Sequence, residues 1–525
     1  MKDRYDVVII GGGHNGLVAA AYLGRAGKSV LVLEALDTLG GATASVRTFP
    51  GMDARLSRYS YLVSLLPDQI VRELDLAFTC ASRSVSSYTP VSRNGRDTGL
   101  FVGRGVATDN ETAASFRALT GGDTEWKQWQ SFYDDCTRVA ETVAPTLLEP
   151  LRSRDEMRTR LGDDVLWNAM MERPIGETIE AHFTDDVVQG VVLTDALIGS
   201  FTHAHHPSLL GNRCFLYHVV GNGTGEWKVP VGGMGALVEA LLTSCLGAGV
   251  EVQTSAPVSA LRTDGKTAEV ELADGRRVSA SYVLSNAAPK VLSRLLGDDP
   301  VADATVEGCQ LKINMLLRKL PRLKSGADPT QAFAGTFHID ESALQLQTAY
   351  DTAAAGTLAD VLPGEVYCHT LTDPSILGDD LRRSGHQTLT LFGLHAPAAL
   401  FDADHDAMRS LALARSLAGL NAYLDDPIEE CLAVDANGQP CVEVKSPLDL
   451  EHSVKLPRGN IFHRPLTWPF AVSDDQVGRW GVETVHDNIF ICGAGAIRGG
   501  AVSGIPGHNA AKAVLEREGR FQPPT

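Results

Sequence analysis

The sequence predicts an α/β fold in which a parallel-sheet domain, assembled from three separate chain segments, carries an inserted mixed α/β domain. Three observations predict it. A β-branched run, Val7-Val8-Ile9-Ile10, leads into Gly11-Gly12-Gly13 and then an alanine-rich segment. A second glycine turn at 232–235 opens a helix-like segment and a series of short strands. The end of the chain repeats the pattern, Ile489-Phe490-Ile491-Cys492 followed by a glycine-rich turn and a helix. These are the parts of a Rossmann-type domain, expected over 1–75, 226–295 and 480–525, with a substrate or cap domain over 76–225 and 296–479.

Each element has a local reason. An unbroken β-branched run is what a parallel strand buried on both faces needs. Leu17 to Ala26 is rich in alanine and favours helix. Gly27 ends it, and Ser29 to Leu33 forms the second strand. Further on, Leu237 to Leu246 reads as helix and Val250 to Val252 as strand. Val258 to Arg262, Thr267 to Leu272 and Arg277 to Leu284 then form a meander, with Asp264-Gly265 and Asp274-Gly275 as its hairpin turns. The last helix runs from about Gly507 to Arg517. Leu62, Leu65, Leu66, Ile70, Val71 and Leu74 recur at helical spacing and predict a core-facing helix.

Composition narrows the function classes. The 525 residues are 44% hydrophobic and 21% charged, an ordinary globular balance. No stretch reaches the roughly 18 apolar residues of a membrane span, and no basic leader precedes an apolar core. A cytoplasmic protein is expected, with peripheral membrane contact and a homodimer left open. The net charge of -18 excludes the concentrated basic surface that nucleic acid requires. Nine cysteines never form CxxC, which speaks against a dithiol mechanism and predicts buried, unpaired thiols.

Gly11-x-Gly13-x-x-Gly16 carries the chemistry. The first glycine makes the tight turn, the second admits a pyrophosphate, and the third packs helix on strand, so that N–H groups face the anion. Glu34 ends the next strand, near the offset at which a carboxylate grips a ribose. The fingerprint alone does not separate FAD from NAD.

Further motifs do. Gly40-Gly41 follows Glu34, Gly232-Gly233-Met234-Gly235 and Leu284-Ser285-Asn286-Ala287 lie mid-chain, and Gly493 to Gly500 precedes Ser503-Gly504-Ile505-Pro506-Gly507-His508-Asn509. With Gly13-His14-Asn15-Gly16 and Asn460-Ile461-Phe462-His463, this set resembles the phytoene desaturase-like branch of the FAD-dependent amine oxidase superfamily. Within it, the chain resembles the group called pyridine nucleotide-disulfide oxidoreductase domain-containing protein 2.

The resemblance covers nearly the whole chain and implies FAD as cofactor. It implies that Gly11, Gly13 and Gly16 hold the pyrophosphate, Glu34 the adenosine ribose and the Val258 backbone the adenine. The Gly493-Ala494-Gly495 turn would meet the ribityl-phosphate chain. The helix opening at Ser503-Gly504-Ile505 would aim its positive end at the flavin N1/O2 edge, where reduced flavin is negative. His14, Asn15, Ala35, Gly40, Gly41, Ala42 and Ser60 complete the expected cofactor positions. Ala42 and Ala494 depart from relatives that carry arginine and a carboxylate there. No dithiol and no second fingerprint supports the pyridine-nucleotide and disulfide half of the group's name.

Other candidates carry competing readings. His203 and His205, expected on one side of a strand, with His218, invite a metal, but no partner set with ligand spacing accompanies them and no metal is expected. His463 and Arg498 are the catalytic candidates, His463 to orient substrate or accept a proton, Arg498 to pair with an anionic substrate or the flavin. A structural histidine and a surface or phosphate arginine are the plain alternatives. Trp468, Phe470 and Trp480 read as core before they read as a substrate channel.

The expected reaction is a dehydrogenation or desaturation. A small, hydrophobic or natural-product-like organic substrate gives hydride to flavin N5, and oxygen or a quinone takes the electrons. The alternatives are a redox-neutral isomerase or a saturase using reduced FAD, and a non-catalytic interaction protein that FAD stabilises.

Overall fold

The computed structural model describes residues 1–298 and 307–521, and these form two seven-stranded sheets and a layer of helices. The first sheet has the order Val258–Thr263, Ala268–Leu272, Arg277–Ser285, Arg4–Ile10, Val30–Leu33, Glu251–Gln253, with Ile489–Ile491 paired to the end of Arg277–Ser285. Arg4–Ile10 lies parallel between Arg277–Ser285 and Val30–Leu33, with Val8 opposite Val283 and Leu31. Alternation sends Val7 and Ile9 to a helical face and Val8 and Ile10 to the meander face, and all four are buried. That double burial is why the run carries no polar residue.

Three helices cover the first face: His14–Arg25, Met234–Gly247 and Ile505–Arg517. Ala19, Ala20 and Ala21 are fully buried and let the helices close in. Contact is backbone to backbone at Gly507, where a Cβ would stand 2.1 Å from the Asn15 carbonyl oxygen. Both Asp-Gly pairs turn their hairpins as the sequence predicts, with Gly265 and Gly275 at φ +86° and +85°.

The second sheet has the order Val442–Lys445, Leu311–Leu317, Gln387–Gly393, Gly364–Tyr367, Thr336–Ile339, Val85–Arg93, Arg96–Gly103. It is antiparallel except where Thr336–Ile339 meets Val85–Arg93. Against it stand helices from 109 to 220, among them Thr124–Val143, Asp186–Leu193 and Leu210–Val220. Their core is aromatic: Phe116, Phe132, Phe183 and Phe215 are buried together.

Some expectations are corrected. Only Asp68–Glu73 of the leucine-rich stretch is helical. Pro67 disfavours helical backbone at the residue before it, so Leu62, Leu65 and Leu66 pack from irregular chain. His203 and His205 lie on turns, with no strand to align them, and His205 pairs with Glu180 at 2.8 Å. His218 sits on Leu210–Val220 and hydrogen-bonds the Cys214 carbonyl at 2.8 Å. Trp468 stacks on Phe470 in the helical core and Trp480 is buried beside the first sheet, so these aromatics are core. The cysteines are free, and all but the half-buried Cys80 are buried.

Candidate active site

One cavity of about 850 Å³ runs from the glycine turns of the first sheet to the second sheet and the helical layer. At one end lie Glu34, Ala35, Leu36, Ala256, Pro257 and Val258. The Glu34 carboxylate is held in place by two backbone donors, Gly12 N–H at 2.7 Å and Leu36 N–H at 2.9 Å. That fixes it at the cavity wall with lone pairs left for hydroxyl donors.

Next come the turns. Gly11, Gly13, His14, Asn15, Gly40, Gly41, Ala42 and Ala494 all line the cavity. Gly11 at φ +99° and Gly40 at φ +105° adopt backbone that side chains avoid. Asn286 is the hidden partner of this loop. Its amide donates to the Gly11 carbonyl at 3.2 Å, and a Cβ at Gly13 would stand 2.8 Å from Nδ2. A Cβ at Gly16 would meet the Gly11 oxygen at 2.4 Å. Glycine here keeps the helix start open for an anionic, elongated ligand.

Beyond the turns the wall holds Ser60, Tyr61, Phe462, His463, Ala501 and Val502. His463 Nδ1 and Asn15 Oδ1 are buried without a protein partner. Burial pushes His463 down to about 4, so the ring is neutral at ordinary pH. His14 is likewise held down to about 4 by burial and by His463. Two neutral imidazoles suit hydrogen bonding to a ligand.

Seven expected residues do not reach the cavity. Gly16, Gly493, Gly495, Ser503, Gly504 and Ile505 stand behind its wall, where Ala494, Ala501 and Val502 present instead. Gly493 and Gly495 are small because Asn286 and Pro289 press on them: a Cβ would come within 2.6 Å of the Asn286 carbonyl oxygen and 2.5 Å of Pro289 Cδ. Arg498 corrects the expectation of a substrate or flavin partner. It is 1% exposed and donates to the carbonyls of Thr146, Glu149 and Trp480 at 2.8, 2.6 and 2.9 Å. The guanidinium ties the helical layer to the first sheet.

The inner end of the cavity was not legible as a site. Its walls include Trp129, Tyr133, Val191 and Ile198, and also Arg83, Asp195, Lys312, His338, Glu365 and Tyr367. The signal that could have found these is a charged residue within an apolar strand, as Lys312 is in Leu311–Leu317. Lys312 Nζ has no hydrogen-bond partner and lies 3.7 Å from the centroid of the Tyr61 ring, and burial holds it well below the usual lysine range. Among the described residues, His338, Glu341 and Glu365 are the one group that brings three metal-ligating atoms within 4.8 Å. Two donors about 2.1 Å from one ion stand about 3 Å or more apart. His338 Nδ1 and Glu341 Oε2 are 2.5 Å apart, so this contact is a hydrogen bond and not shared coordination.

Fold and cavity together have the features of a dinucleotide-binding protein: a fingerprint turn, a carboxylate held by backbone donors at the end of the next strand, and one contiguous cavity. The model of the flavin containing amine oxidoreductase family matches residues 16–307, more than half of the chain, and the chain belongs to that family. It is 47% identical to an uncharacterized protein of Mycobacterium tuberculosis over 97% of both chains. It is 29% identical to pyridine nucleotide-disulfide oxidoreductase domain-containing protein 2 of Mus musculus, over 98% of this chain and 94% of that one. Cyclohexylamine oxidase from Brevibacterium oxydans shares the fold, with a TM-score of 0.57 at 14% identity, covering 98% of this chain and 100% of that one. The protein is accordingly a FAD-dependent oxidoreductase of mixed α/β fold. No helix among the described residues is long and apolar enough to cross a membrane.

Proposed function

We propose that the protein is a dehydrogenase or desaturase that oxidises a small, largely apolar organic molecule bearing one hydrogen-bonding group. The observation that carries this is the single cavity joining the glycine turns to apolar and polar inner walls. Bound FAD supplies a two-electron acceptor for hydride. Gly11, Gly13, His14 and Asn15 would hold its pyrophosphate, Glu34, Ala35 and Val258 its adenosine, and Gly40, Gly41, Ala42, Ser60 and Ala494 the ribityl side. Gly16, Gly493, Gly495 and the Ser503-Gly504-Ile505 turn support those contacts from behind.

The chain's own part is to bind, orient and dry the substrate. Val191, Ile198, Leu65 and Phe392 give the apolar body a place that excludes water. His463, neutral and at the wall, offers a hydrogen bond that orients the reacting carbon. The two sheets serve as cores of two domains, divided at 1–75, 226–295 and 480–525 against the remainder. Electrons then pass to oxygen or a quinone.

The test is an anaerobic screen of apolar alcohols, amines and polyenes against the FAD-loaded protein, following flavin absorbance. Bleaching by one class identifies the substrate. A protein that no compound bleaches, and whose cavity none enters, contradicts the reading and favours the non-catalytic alternative.

A further inference from the structure

The inner cavity wall is built by two neighbouring strands whose alternation separates core from chemistry. In Thr336–Ile339 and Gly364–Tyr367 the register sets Thr336 opposite Tyr367 and His338 opposite Glu365. Phe337, Ile339 and Val366 turn to an apolar core, while Thr336, His338, Glu365 and Tyr367 line the cavity. Four polar side chains therefore share one face of these two strands.

Three of them stand side by side. The Tyr367 hydroxyl donates to Glu365 Oε2, and Glu365 Oε1 lies 4.0 Å from His338 Nδ1. Behind them, His338 Nδ1 and Glu341 Oε2 are 2.5 Å apart, with Glu341 1% exposed. Facing the group from other elements are Asp195, Arg83, Tyr61 and Lys312. Arg83 donates to Thr336 at 2.9 Å and lies over the Tyr367 ring, so its charge borders the group without pairing to it. Burial first, and Glu341 next, push Glu365 up to about 8; burial and the neighbouring acids Asp195 and Asp340 raise Glu341, and burial raises Asp195. Glu365 therefore holds a proton below about pH 8 and stands as a carboxylate, able to accept one, above it.

We propose that Glu365 is the catalytic proton acceptor of the oxidation, reached directly or through Tyr367, with His338 and Glu341 as positioning residues behind it. This rests on the dehydrogenase reading. The substrate C–H bond breaks with both electrons leaving as hydride to the bound FAD, the oxidant. The adjacent C–H, N–H or O–H bond breaks with its proton going to the Glu365 carboxylate. By the Tyr367 route, that hydroxyl takes the substrate proton as it gives its own to Glu365. The substrate loses two protons and two electrons in all, and Glu365 ends as the acid.

Infrared difference spectroscopy on the oxidised, FAD-loaded full chain tests this without any substrate. A protonated-carboxyl band is expected below about pH 8, lost as pH rises through it, and absent in Glu365→Gln. On transfer to heavy water the band shifts, and Tyr367→Phe slows that exchange about tenfold or more, which a purely structural tyrosine would not do. Should Glu365→Gln fail to take up FAD, Glu365→Asp serves, with a displaced band. For any compound that bleaches the flavin in the screen above, Glu365→Gln lowers the reduction rate by about 10²- to 10⁴-fold while KM stays near that of the parent. The proposal is overturned if the band that titrates near pH 8 survives in Glu365→Gln, if no band titrates near pH 8, if exchange is indifferent to Tyr367, or if Glu365→Gln removes a stoichiometric metal. A titrating, exchanging Glu365 in a protein that no compound reduces would overturn the dehydrogenase reading and leave the proton-exchanging group in place.

Discussion

At the residue scale, small side chains shape the turns at one end of the cavity and buried charged groups line the other. Gly16 does not touch the cavity, yet its Cβ would press on the Gly11 carbonyl at 2.4 Å and shift the turn. Overpacking of this kind costs about 1–3 kcal/mol. Gly16→Ala should therefore weaken FAD binding about 5- to 150-fold, read by flavin retention on dialysis. That Gly11, Gly13, Gly40, Gly41, Glu34 and His463 meet at one cavity wall was legible, because a turn, a strand end and a family motif each fix a residue type by position. The role of Asn286, which packs against the fingerprint loop, was not, since an asparagine after a strand carries no spacing rule. Arg498 misled for the opposite reason: a charge beside a cofactor motif reads as functional, and only the three carbonyls around it reveal a clamp.

At the element scale, strands with Asp-Gly turns and the alanine-rich helix were read within a few residues, because their periods and turn residues are local. The leucine-rich stretch was not, since helical spacing is also met by irregular chain that happens to bury every third or fourth residue. The helical layer is held by aromatic packing that only tertiary structure assembles. Phe470, 2% exposed, stacks on Trp468 and touches Trp167 with ring centroids 5.5 Å apart. Phe470→Ala should destabilise the fold by about 3–5 kcal/mol. A calorimetric melt checks this, and the flavin spectrum of the folded fraction should be unchanged. A variant that keeps its stability but loses substrate-driven bleaching would return this aromatic pair to the channel.

At the scale of the whole molecule, three distant segments converge on one sheet, and the cavity at its rim is completed by strands and helices from the rest of the chain. The convergence was legible because each segment carries its own glycine turn. The inner wall was not, because Glu365 and His338 are separated by 27 positions and meet only through strand pairing. In the proposed dehydrogenation, hydride comes from a substrate held in that inner chamber and not from a nicotinamide. The most direct test is an anaerobic titration of the purified, FAD-loaded protein with NADH and NADPH, following flavin absorbance. The oxidised spectrum should persist through stoichiometric additions. Bleaching by either nucleotide would contradict a substrate-derived hydride and make the protein a reductase or saturase.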